Sequence, residues 1–255
     1  MNPIRNMRRA SAAAWHLAIS ATIAAALFAG IYLLWYPGDL FEVGGGRRLF
    51  LLIAGVHMVL GPLITLIIFD PGKKALLFDL IAIATLQAGA LLFGVWVLFA
   101  SRPVYIVFVK DRFELMRANG YPEAELARAG SSPYLVFPLA GPRIVGARMP
   151  TDRAERERIV FLAPGGVDLQ HMLQHYVAYD RERPAAAAKA KPISQLRNLN
   201  PGKLERIDRL VRDLGRDEKA LGFLPMRAES DDLAVIVDFA SGDVLRLVAL
   251  NPWES

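Results

Sequence analysis

His171 and His175 stand four residues apart in the segment HMLQH, and Asp168 lies three residues before the first of them. On a helix these positions share a face, so two imidazoles and a carboxylate would converge as they do around a zinc ion. However, Met172 occupies the place where a zinc protease carries its glutamate, and beyond Ser101 the sequence holds no His or Cys other than this pair. The pair therefore reads as surface or interface histidines, and no metal is expected. Gly44-Gly45-Gly46-Arg47-Arg48 has the glycines of a phosphate cradle, but no strand precedes it and no Gly-Lys-Ser/Thr follows. It reads as a flexible turn that sets two arginines among lipid headgroups. Cysteine is absent, which excludes disulfides, thiolate nucleophiles and Cys-ligated zinc or iron–sulfur centres. A transferase at a membrane face would need clustered carboxylates or a histidine, and Asp39, Glu42 and the Asp111-Arg112 region offer no catalytic spacing. No catalytic residue and no cofactor is expected.

The polar residues hardest to dismiss lie inside long apolar runs. Ser11 to Gly38 contains no Asp, Glu, Lys or Arg, Leu49 to Phe69 is uncharged throughout, and Ala75 to Ala100 is broken only by Asp79. Each run meets the roughly 20 residues a helix needs to cross a bilayer. Three transmembrane helices are expected, at about residues 12–36, 49–69 and 75–100. Asp79 sits about four residues into the third, roughly 6 Å deep at 1.5 Å per residue, shallow enough to meet water or Lys73 and Lys74; the alternative is a role in helix packing or partner recognition. Gln87, Ala90 and Gly94 are read as one face of that helix, a small-residue stripe with one amide that suits close helix packing within the protein or with a partner helix. The second run contributes His57 and Thr65, and its Gly61-Pro62 should kink the helix by removing a backbone hydrogen bond.

The whole chain of 255 residues carries a net charge of +5, but the charges are segregated: 11 of them fall in residues 1–100 and 44 in residues 101–255. This composition excludes a wholly cytosolic enzyme, a coiled coil and a disordered chain. Acidic residues accompany the basic ones almost everywhere, so no nucleic-acid face is indicated. The expected organisation is an α-helical membrane domain over 1–100 and a separate α+β domain over 101–255. Apolar character runs past Ala24-Ala25-Ala26 into Trp35-Tyr36, so the first run reads as an uncleaved anchor rather than a signal peptide. Arg5, Arg8, Arg9, Lys73 and Lys74 on one side outnumber Arg47, Arg48 and Arg102 on the other, which places the N-terminus in the cytoplasm and, with three spans, the C-terminal domain outside it.

In that domain Val104 to Val109 reads as a strand running on toward Phe113, and Asn119 to Pro150 as turns and short elements. Val167 to Tyr179 has helical periodicity, and Pro201 to Leu214 is an amphipathic helix opened by proline. Arg183 to Lys191 reads as an exposed connection or short polar helix. Leu233–Val237 and Val244–Leu250, joined through Ala240-Ser241-Gly242-Asp243, read as a β-hairpin.

Five segments in order, WYPGDLF at Trp35–Phe41, LGPLITLIIFDPGKKALLFDL at Leu60–Leu80, Gln87 with Phe93-Gly94, SRPVYIVFVKDRF at Ser101–Phe113 and LAVIVDFASGDVLRLVALNPW at Leu233–Trp253, resemble the type IV pilin accessory proteins of the TfpX/TfpZ family. The resemblance covers the membrane part best. It implies a non-catalytic bacterial inner-membrane protein that assists the major pilin of type IV pili, with the pilin and the lipid bilayer as its partners. The stripe of Gln87, Ala90 and Gly94, together with His57 and Thr65, is then the expected surface for the membrane-embedded helix of that pilin. The competing readings are a membrane-bound envelope transferase and a sensor, and the second would require a cytoplasmic output domain that this topology does not provide.

Overall fold

The computed structural model describes residues 8–228 and 232–253, so Arg5 of the charge count lies outside the described residues. The chain forms two compact units. One comprises the chain up to Leu33 together with Gly46–Ala100, and the other Leu34–Gly45 together with the chain from Ser101 onward.

The first unit contains three helices long and apolar enough to cross a membrane: Arg9–Trp35, Gly46–Ile68 and Leu76–Ala100. The first ends in a π-helical turn over Ile31–Trp35. The second carries a π-helical turn at Val56–Leu60, directly before Gly61-Pro62. Pro62 has no N–H and its ring crowds the carbonyl one turn earlier, and the widened turn accommodates both effects. The three helices leave many large apolar side chains outside and bury several small or polar ones. Their buried positions include Ser20, His57, Gly61, Thr65 and Gly94, while Leu33, Phe78, Leu86 and Leu92 point outward. Lipid tails are as apolar as leucine, so burial alone does not sort the large side chains: Ile31, Ile53 and Leu98 also turn inward, and small or polar residues add close or directed contacts.

The second unit is built on one mixed sheet of eight strands: β1 Pro103–Val109, β2 Arg112–Arg117, β3 Arg143–Ala147, β4 Tyr176–Ala178, β5 Lys191–Pro192, β6 Leu221–Arg227, β7 Leu233–Asp238 and β8 Val244–Val248. The order is β4-β3-β1-β2-β6-β7-β8, with β5 paired to β6. β1 runs parallel to β3 and β2 parallel to β6, and the other pairs are antiparallel. Strand alternation divides the core. Tyr105, Val107 and Val109 of β1 pack with Ile159, Met172 and Tyr176, whereas Ile106 and Phe108 pack on the opposite face with Phe113, Leu224 and Val235. A third cluster joins Phe223 and Ile236 to Ile207 and Leu210 of the helix Leu204–Leu214. β1 and β7 are buried along their whole length, which explains the apolar runs Pro103–Val109 and Leu233–Val237.

Three expectations change. The strand does not run on to Phe113: the chain reverses at Lys110-Asp111, with Lys110 at the positive φ of 59° that a tight hairpin loop demands. Val167 to Tyr179 is not one helix but two 3₁₀ turns, Leu169–His171 and Leu173–His175, followed by β4. Met172 between the turns is non-helical, at φ −110° and ψ 85°, and fully buried. Residues 34–45, grouped by composition with the membrane part, pack in the second unit. Tyr36 is fully buried and its hydroxyl donates to the Ser101 carbonyl at 3.0 Å. One Asp39 carboxylate oxygen accepts from Arg206 at 2.6 Å and from the Ala249 amide at 2.8 Å. Arg117 donates to the Gly44 carbonyl at 2.8 Å, and Leu40 and Val43 enter the core beside Phe108 and Val235. The C-terminal hairpin forms as read, and Arg183–Lys189 is a short helix with Ala186 buried beneath it.

Candidate functional site

One polar side chain from each of the second and third membrane helices meets a histidine of the first. His16, about two turns into the first helix, lies 2.6 Å by Nδ1 from the Thr65 hydroxyl and 2.7 Å by Nε2 from Gln87 Oε1. A carbonyl oxygen only accepts, so Nε2 donates to Gln87, and in a neutral ring Nδ1 accepts the Thr65 proton. One side chain from each helix thus enters a single hydrogen-bond chain. Gly61 makes the approach possible: a Cβ there would collide with the Gln87 amide and come 2.8 Å from His16 Nε2. Gly94 allows a second close approach, because a Cβ there would meet the Ile53 side chain at 2.8 Å.

Beside this chain lies a cleft of about 430 Å³, lined by Ser20, Ala54, Ala84, Leu91 and other residues of all three helices, and opening onto His16, Thr65 and Gln87. His57 also lines it. This imidazole is 8% exposed and has no hydrogen bond to any described residue.

The residues singled out in the sequence fall as follows. His57, Gln87 and Gly94 face the interior of the first unit, and Thr65 joins them through His16. Ala90 does not: it lies on the exposed face of its helix, because at 3.6 residues per turn it stands about 60° round from Gln87, beyond the arc that Ile83, Gln87, Gly94 and Leu98 occupy. Asp79 pairs with Lys73 at 2.5 Å. In the second unit, His171 is held by the backbone of Asp168 through Nδ1, while His175 Nε2 lies 3.1 Å from Glu155. The two histidines thus serve separate contacts. His16 is not among the residues singled out in the sequence, because it stands in a run without a full charge. The signal was present: an imidazole in an apolar run demands a partner.

Two polar clusters of the second unit are structural by geometry. Arg158 grips Glu125 at 2.7 and 3.1 Å and Glu155 at 2.8 Å, and Glu125 is 4% exposed. The Arg158 guanidinium, helped by His175, holds the Glu155 carboxyl down at about 2 and also lowers Glu125. Tyr121 and Tyr176 share a hydrogen bond of 3.1 Å beneath β1, where burial pushes both phenols above their ordinary value.

The chain is 31% identical over 197 residues to the fimbrial assembly protein, serogroup I, of Dichelobacter nodosus, covering 76% of each chain. It is 28% identical over 242 residues to the serogroup E1 protein of the same organism, covering 93% of this chain and 94% of the relative. A third relative, the protein of serogroups C1 and C2, is 32% identical over 131 residues, which is 51% of this chain and 100% of the relative. No family model matches the chain, and no solved structure matches it. The similarity spans both units and agrees with the resemblance read from the sequence: this chain belongs to the fimbrial assembly protein family.

Proposed function

We propose that the protein is a non-catalytic accessory factor of type IV pilus assembly in a bacterial inner membrane, acting on the major pilin before its incorporation into a fibre. The observation that carries this reading is similarity to a fimbrial assembly protein over 93% of the chain, across both units. Two further features support it. The polar groups of the membrane helices are spent largely on one another through His16, an arrangement that suits a scaffold better than an acid–base centre. The pairing of residues 34–45 with the chain after Ser101 requires both to lie on one side of the bilayer, as three spans dictate. In this reading the N-terminus is cytoplasmic and the C-terminal unit periplasmic.

Deletion of the gene in the native host should abolish or sharply reduce surface pili while pilin transcript stays constant. Measuring total pilin separately distinguishes a stabiliser, whose loss depletes pilin, from an assembly factor, whose loss leaves pilin stranded in the membrane. Normal surface piliation in the deletion strain would refute the reading. An alkaline phosphatase fused after Ser255 should be active, and an inactive fusion beside an active cytoplasmic reporter would reverse the orientation.

A further inference from the structure

His57 lies midway along the Gly46–Ile68 helix, 11 residues from either end. At 1.5 Å per residue this is roughly 16 Å in, half the ~30 Å thickness of a hydrocarbon core. Gln87 lies equally far from the start of the third helix. A buried imidazole needs hydrogen-bond partners, and among the described residues His57 has none, while its neighbour His16 has both nitrogens engaged. The cleft beside it is otherwise lined by apolar and small side chains and by the His16, Thr65 and Gln87 groups that already pair with one another. The depth narrows what can fill it. An acyl chain supplies apolar contact at mid-bilayer but no hydrogen-bonding group, since the polar atoms of a lipid stay at the interface. A transmembrane helix bearing one polar side chain near its middle supplies both.

We infer that the cleft seats a single transmembrane helix of a partner protein, fixed by a hydrogen bond between His57 and a polar side chain at mid-bilayer depth. That the partner is the pilus subunit rests on the assembly reading above; the helix chemistry does not. Small residues such as Ser20, Ala54 and Ala84 allow close backbone approach, and the hydrogen bond fixes register.

The test uses the full chain in lipid nanodiscs. The sequence has no cysteine, so one introduced at an exposed position carries a donor dye uniquely. Acceptor-labelled 21-residue leucine–alanine helices, one with a central asparagine and one wholly apolar, are titrated. The asparagine helix should bind about tenfold tighter, the fold-change of one interhelical hydrogen bond in lipid. His57→Leu should bring it to the level of the apolar helix, and His57→Gln, which keeps a donor and an acceptor, should retain the preference. Ala84→Phe, which fills the cleft and leaves His57 in place, should weaken both helices and provides the test should His57→Leu fail to insert. Equal binding of the two helices, or a preference that survives His57→Leu, overturns the proposal. Energy transfer between two copies of this chain that disappears in His57→Leu would also overturn it, assigning the cleft to self-association. In the host, full restoration of pili to the deletion strain by His57→Leu removes the cleft and leaves the assembly reading intact. Normal pili in the deletion strain itself removes that reading alone, because the peptide measurement does not depend on it.

Discussion

At the scale of single residues, the sharpest consequences attach to Arg158. It is the partner of a carboxylate, Glu125, that is only 4% exposed, so Arg158→Ala leaves a buried charge with little compensation and should destabilise the second unit by about 3 kcal/mol. Thermal unfolding of the detergent-solubilised chain, followed by near-ultraviolet dichroism, would read this as a lowered midpoint. The same cluster sets a pH dependence. Glu155 titrates near 2 in the folded chain against about 4.3 unfolded, so its contribution is fully present above the unfolded value and is lost as pH falls toward 2. The wild-type protein should therefore lose stability progressively below about pH 5. Arg158→Ala should flatten that slope, and an unchanged slope would dissociate the guanidinium from the effect. His16 illustrates what residue types disclose and what they conceal. Its presence in an apolar run was visible, but its partners are 49 and 71 positions away, and no local pattern announces them.

Among the elements, the third membrane helix makes the clearest prediction, because its two small residues have separate environments. Gly94→Leu drives a side chain into Ile53 and should cost the bundle about 1–3 kcal/mol, seen as earlier thermal aggregation in fluorescence-detected gel filtration. Ala90→Leu faces outward and should leave that profile unchanged. Gly61→Ala should behave like Gly94→Leu, since the added methyl displaces the Gln87 amide and breaks the link to His16. What could be read in advance follows from the range of the forces involved. The three apolar helices, the Leu204–Leu214 helix and the β7–β8 hairpin announce themselves through long periodic patterns and a glycine-bearing turn. The turn at Lys110-Asp111 carries no glycine and is flanked by residues that continue a strand pattern, so it was hidden. Residues 167–179 repeat their buried positions at a spacing that two short 3₁₀ turns satisfy as well as one helix. Ala90 stands only about 20° outside the arc from Ile83 to Leu98, too little for helical periodicity alone to tell an exposed position from a buried one.

For the whole molecule, the second unit is discontinuous in sequence, and its boundaries can be tested by expression. A fragment beginning at Ser101 lacks Tyr36, Leu40 and Val43, all nearly fully buried in the intact unit. It should melt earlier and less cooperatively than the same fragment with residues 34–45 joined to it by a flexible linker; equal melting curves would show that the segment merely rests on the surface. Leu40→Ala in the full chain should cost about 2–5 kcal/mol, as for other well-packed leucines. The order of synthesis gives this arrangement a further meaning. Residues 34–45 are made long before Arg206 and Ala249, the partners of Asp39, exist. If either the second or the third span failed to insert, the chain after Ser101 would be delivered to the opposite side of the bilayer from Asp39. The two halves of the unit would then never meet. Completion of this fold thus reports that the two intervening spans have not crossed singly, and a chain with only one of them inserted is left with an open core.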